Sequence, residues 1–308
     1  MEKGLIFAKE NRGGTLMSKE RFKNAQEVKK YNPWKEVSRL FDIYEKNCLY
    51  DDNNEYVLEK DKDRIIEFNE DIKEHDDRIV LQTPPEPWRG NPLEANLIIL
   101  SLNPGYDVNL NKTLAKLLQT NDAIRKGVVS FRKDTLNLKA HSFLPSDDQT
   151  QPISIKEAED MLGGWYWTKR FNTIRNDPRV KTKLNENEFY NRVAVLQFFG
   201  YSSTTCEKGF PYYKKNKELP SQEFNKKLIE YLINYKSDKV RFLILRAKKQ
   251  WVGFLGEIYN KNRFMFLEKT NKGRSQSITK KNLMEKDENG QIKKDVFEDV
   301  LKVLLEEL

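Results

Sequence analysis

The sequence predicts an α/β fold: a three-layer α/β/α sandwich around a four-stranded, mainly parallel central sheet, preceded by a helical N-terminal extension. Three observations carry this reading. Four short, nearly continuous apolar runs, Asn96–Leu102, Arg192–Phe198, Val240–Arg246 and Arg263–Leu267, have the length and composition of strands buried on both faces. The stretches between them are long enough for the crossover helices that parallel pairing requires. Residues 1–80, by contrast, are polar and read as helical, and the segment Thr83-Pro84-Pro85-Glu86-Pro87-Trp88 marks the change of pattern.

Taken in order, Asn32 is the expected N-cap of a first helix with Pro33 at its first position, and Trp34, Val37, Leu40, Phe41 and Tyr44 follow at helical spacing. A second helix carries Ile65, Ile66, Phe68 and Ile72. These apolar stripes are too thin for a core of their own, so residues 1–80 are expected to pack as an extension on a main domain spanning 81–308. Trp167, Phe171 and Ile174 read as a buried helical stripe. A closing amphipathic helix is expected near 293–307, with Val296, Phe297, Val300, Leu301 and Leu304 on one face.

Length and composition narrow the chemistry. The 308 residues can bury a substantial core, and 55 Lys and Arg against 47 Asp and Glu give a net charge of +8. Apolar stretches such as Leu97–Leu100 fall far short of the roughly 20 residues a membrane span needs. The N-terminus lacks the apolar segment of a secretory signal, so the reading is a cytoplasmic, non-membrane protein. Two cysteines, Cys48 and Cys206, and two histidines, His75 and His141, exclude a four-cysteine or multi-histidine metal centre, so metal-free chemistry is expected.

In open α/β sheets ligands bind beyond the carboxyl ends of the strands. The four segments that follow the runs are Ser101-Leu102-Asn103-Pro104-Gly105-Tyr106, Gln197–Ser203, Arg246-Ala247-Lys248-Lys249 and Asn271–Thr279. From Arg241 to Glu285 there are 11 Lys or Arg against 3 Asp or Glu, an excess equal to the whole net charge. The basic surface is therefore local, as expected for a polyanion partner.

In this order the segments resemble the uracil-DNA glycosylase superfamily, over roughly residues 85–285. IILSLNPGY resembles the strand and loop that carry the water-positioning residue, in the Asn-Pro-Gly form of the mismatch-specific and single-strand-selective branches. VAVLQ falls where the family has a strand ending in a base-reading amide, FLILRAKK at its third strand, and GRSQSIT at its minor-groove loop. Two departures matter: position 103 is Asn where the fastest members have Asp, and Arg274 stands where the common loop has His. The divergent loop, Gln197 and the extra aromatic residues bring the sequence near the branch thought to act on hypermodified cytosines in defence against phages.

The resemblance implies a monofunctional DNA glycosylase acting on double-stranded DNA, with no organic cofactor and no obligatory protein partner. Asn103 would hold the attacking water through its amide oxygen or, alternatively, serve as a turn residue before Pro104. Arg274 would donate to the leaving base or to a phosphate, and His141 is the better histidine for a donor or acid. Pro104, Gly105, Tyr106, Phe143, Gln197, Phe198 and Tyr201 form the expected base pocket, with turn and core roles as the alternatives. Ile278 corresponds to the apolar wedge, with Lys248, Lys249, Lys272, Ser275, Ser277 and Thr279 toward DNA phosphates; a solvated basic loop is the other reading. Housekeeping excision of uracil, a catalytically silent reader of modified DNA, and a hydrolase of free nucleosides remain open beside it.

Overall fold

The computed structural model describes residues 21–44, 54–72, 78–105, 107–139, 165–204, 218–236, 238–245, 248–260, 262–266, 278–287 and 289–306. It is an α/β protein with N-terminal helices and a central, mostly parallel sheet of five strands flanked by helices. The strands are β1 (Trp88–Arg89), β2 (Leu97–Ser101), β3 (Val193–Gln197), β4 (Arg241–Ile244) and β5 (Phe264–Met265), in the spatial order β1-β3-β2-β4-β5. Strands β2 to β5 are the four expected from the apolar runs, all parallel, with Ile99 opposite Val195 and Leu243. The fifth was not expected. Strand β1 is an antiparallel edge of two residues, Trp88 opposite Leu196 and Arg89 opposite Val195, too short to show any periodicity.

Alternation along the strands divides the core in two. Ile98, Leu100, Ala194, Leu196, Phe242 and Phe264 point to one face, Leu97, Ile99, Val193, Val195, Leu243 and Met265 to the other. The first face is covered by α1 (Ala25–Tyr31), α2 (Lys35–Tyr44), α3 (Glu59–Asp71), α4 (Val108–Thr120), α5 (Asp122–Leu136), α9 (Pro220–Tyr235) and α10 (Lys248–Leu255). The second is covered by α6 (Trp165–Arg175), α7 (Pro178–Lys183), α8 (Glu186–Asn191), α11 (Lys280–Leu283) and α12 (Val296–Leu305).

The N-terminal helices share the core of the first face: Trp34, Val37, Phe41, Ile65 and Phe68 belong to one buried cluster with Leu100 and Leu196. Helix α2 begins at Lys35 rather than at Pro33, because Asn32 turns the chain first. Its Oδ1 accepts from Trp34 N–H at 3.1 Å while its Nδ2 donates to the carbonyl of Leu136. The stripe Trp167, Phe171, Ile174 is buried as expected. The closing helix starts at Val296, since residues 292–295 instead form strand β7 of an antiparallel hairpin with β6 (Met284–Lys286). Helix α12 then runs back to the amino ends of the strands, where Arg192 Nη1 donates to Leu304 O at 2.7 Å.

Candidate functional site at the carboxyl ends of the strands

The parallel pairing of β2 and β3 continues past both strands, with Phe198 N–H donating to Ser101 O at 3.0 Å and Phe199 N–H to Leu102 O at 2.8 Å. These bonds carry the two chains side by side until Gly105 and Ser203 form a last parallel bridge. Asn103 sits in this extension, half-buried. Its Nδ2 donates to Pro104 O at 2.9 Å and to Ser203 Oγ at 3.0 Å. A carbonyl oxygen can only accept, so the contact with Pro104 fixes which end of the amide is nitrogen. The amide oxygen is the end turned away from these contacts. Pro104 is buried beneath the loop and Gly105 is exposed at its crest, where a Cβ would meet nothing within 4 Å among the described residues.

The end of β3 is built differently. Gln197 is 1% exposed, and its Oε1 has no hydrogen-bond partner among the described residues. Its backbone is held on both sides: its N–H donates to Pro87 O at 2.9 Å, and its carbonyl accepts from Asn225 Nδ2 at 3.1 Å. Phe198 is a core residue, edge-on to Trp251 and Phe254 with centroids 5.0 and 4.9 Å away. Tyr201 is equally enclosed. Its ring lies 5.3 Å from that of Trp34, and its hydroxyl accepts from Leu58 N–H and donates to Asp61 at 2.8 Å. Burial and the Asp61 carboxyl push the Tyr201 phenol well above its ordinary value.

Two buried polar clusters brace this end of the sheet, and no local sequence pattern announced either. Asp61 accepts from Tyr201 and from Ser221 N–H at 3.1 Å; burial raises its pKa, with those hydrogen bonds opposing. Glu86, whose N–H donates to Gly200 O at 2.7 Å, receives Arg89 Nε at 3.1 Å and Arg132 Nη1 at 3.0 Å. Burial alone would raise the Glu86 carboxyl, but the two guanidinium groups outweigh it and hold it below the usual range. Both clusters are structural ties between the loops and the helices on the first face.

The structure thus brings Asn103, Pro104, Gly105, Gln197, Phe198 and Tyr201 to one end of the sheet, but it encloses Pro104 and the last three. Ser203, 100 residues from Asn103 in sequence, is the partner that local reading could not assign. Lys248 and Lys249 open α10 just after β4, with the Lys248 ammonium 3.6 Å from the centroid of Phe266. Ile278 corrects the expectation of an exposed wedge. It is fully buried in the core of the second face, and its N–H donates to Arg170 O at 3.1 Å, so its side chain has no surface with which to enter a base stack. Thr279 caps α11, its hydroxyl accepting from Asn282 N–H at 3.2 Å. Tyr106, His141, Phe143, Lys272, Arg274, Ser275 and Ser277 lie outside the described residues.

Among the described residues there is no cluster of three or more His, Cys, Asp or Glu side chains that could hold a metal. Nor is any described helix long and apolar enough to cross a membrane. No protein-family model matches the chain, and neither a curated protein nor a solved structure matches it.

Proposed function

We propose that the protein is a monofunctional DNA glycosylase that takes a base out of the duplex and hydrolyses its N-glycosidic bond, leaving an abasic site. The observation that carries the proposal is the orientation of Asn103. Both hydrogens of its amide nitrogen are engaged, by Pro104 O and Ser203 Oγ, at the carboxyl end of β2. Its oxygen is thereby pre-oriented to accept from a water, and pre-orientation is what a hydrolytic site must supply before the bond breaks. The local excess of positive charge between Arg241 and Glu285 supports a polyanionic substrate.

Departure of a base leaves positive charge on the sugar. An amide positions the nucleophile but does not stabilise that charge as a carboxylate would, a difference of roughly 4 kcal/mol at about 4 Å and an effective dielectric near 20. This corresponds to about three decades in rate. The enzyme is therefore expected to be slow, and single-turnover conditions are the appropriate ones.

The test is incubation of the protein with unmodified, uracil-containing and hypermodified-cytosine DNA, followed by counting alkali-labile sites. Accumulation on one substrate class identifies both the reaction and its base. Salt-sensitive binding to these DNAs without abasic sites on any of them would replace the proposal with a reader of modified DNA.

A further inference from the structure

At the amino ends of the strands, opposite Asn103, α9 ends on Lys236 and the chain turns into β4. Most charges around this turn meet a partner. Asp238 Oδ1 takes Arg263 Nη2 at 2.6 Å, and Glu306 takes Lys239 at 3.3 Å and Arg192 at 3.2 Å. Arg241 Nη1 donates to the carbonyls of Asp238 and Val240. Arg263 Nη2 also reaches Ile233 O at 3.3 Å, so a guanidinium already serves the negative pole of the α9 C-terminus. Lys236 is placed differently. Its side-chain nitrogen crosses from the helix end to the segment before β2 and donates to Ala95 O at 3.1 Å, with no carboxylate of the described residues within 4 Å. Glu94 acts on it from farther away.

An ammonium carries three donors, and enclosing it with a single carbonyl partner favours the neutral amine. Burial accordingly pushes Lys236 down to about 8, with Glu94 opposing. At pH 7 about a tenth of such amines are neutral, against well under a thousandth of ordinary lysines. A neutral lysine amine is a nucleophile. The side chain is half-buried rather than sealed, so a small reagent can reach it, while the bond to the carbonyl of fully buried Ala95 fixes the nitrogen. The surroundings also select the reagent. Arg241 and Arg263 share the carboxylate of Asp238, which leaves a positive surplus that attracts an anionic donor.

We propose that Lys236 is a covalent modification site, whose amine takes the acyl group of a small acyl phosphate. The nitrogen lone pair attacks the acyl carbon and a C–N bond forms. The C–O bond to phosphate breaks, phosphate leaves with the electron pair, and the proton released from nitrogen passes to solvent. The amide product keeps one N–H, which still serves Ala95 O, so modification removes the titrating charge without breaking the contact that holds the side chain. The site lies at the other end of the sheet from Asn103 and is independent of base removal.

The test treats the full chain with acetyl phosphate over a pH series and follows each lysine by peptide mass spectrometry. At pH 7, Lys236 is expected to be acetylated about tenfold or more faster than the exposed Lys60 and Lys181, a margin set by its larger neutral fraction. Its rate should reach half its plateau near pH 8. Glu94→Gln, at an exposed position, removes the carboxylate that favours the charged form and should move that midpoint to lower pH. Lys236→Arg keeps a donor for Ala95 O and should lose the fast phase of total acetyl incorporation. Acetylation of Lys236 no faster than that of Lys60 and Lys181 at pH 7, a midpoint near the ordinary 10.5, or a midpoint unmoved in Glu94→Gln would overturn the proposal. None of these readouts involves DNA, so they stand or fall apart from the glycosylase reading.

Discussion

The ends of β2 and β3 lie side by side in register, Ser101 against Gln197, and each bears an amide that the sequence marks as a candidate, Asn103 for the water and Gln197 for the base. At the end of β2, Asn103 is half-buried, hydrogen-bonded through its nitrogen, and two residues before an exposed glycine whose missing Cβ would touch none of the described residues. At the end of β3, Gln197 is enclosed, and the chain beyond it is packed under Trp34, Trp251 and the Asp61 network. The difference is one of backing. The β3 end is covered by the N-terminal helices and by α9 and α10, whereas the described residues leave one side of the β2 loop uncovered. Adjacent strands of similar sequence character therefore finish as a rigid wall and an accessible rim.

The largest expected effect breaks the wall. A Cβ at Gly200 would lie 2.4 Å from Trp34 Cη2 and 3.2 Å from Pro87 Cβ, and the buried indole has no room to retreat. Gly200→Ala is expected to cost about 3 kcal/mol, at the upper end of ordinary overpacking, measured by denaturant unfolding. An effect below about 1 kcal/mol would mean that the wall yields and that the contrast with the β2 rim is overstated.

A smaller effect is expected from Asp61. Burial raises its folded pKa above the ordinary 3.8, so the folded state favours the protonated acid. Its contribution to stability is complete below the ordinary value and is lost as pH rises through the raised one. Measured against Asp61→Asn, which does not titrate, wild-type melting temperature should therefore fall by a few degrees between acid and neutral pH. A constant difference between the two proteins would show that folding leaves the Asp61 carboxyl at its ordinary value.

The smallest effect is expected at Gln197. Gln197 buries an oxygen without a partner among the described residues, so Gln197→Met should be neutral or stabilising by up to about 1 kcal/mol. Loss of more than about 1 kcal/mol would reveal a partner for that side chain within the folded protein.

The sheet was legible because strands buried on both faces must be continuously apolar, and β2, β3 and β4 are. Strand β1 was not, since two residues after Pro87 carry no period. The hairpin was hidden by its polar strand IKKD, although Asn289-Gly290 is a strong turn signal that pointed to it. At the site, the position of Asn103 after a strand could be read locally. Its anchoring by Ser203 could not, because that contact depends on how far the pairing of β2 and β3 extends beyond the strands. Burial of Ile278 likewise depends on the packing of α6 and α12, which no pattern within its own loop encodes.

The proposed role of Asn103 in holding the hydrolytic water is put to the test by Asn103→Ala. Abasic sites formed under single-turnover conditions should fall by two decades or more on the responsive DNA. DNA affinity should be unchanged, and the loss of stability should be within about 1 kcal/mol. A variant that binds, folds and forms abasic sites at the wild-type rate would contradict the claim, and Asn103 would then be only the turn residue that anchors Pro104 to Ser203.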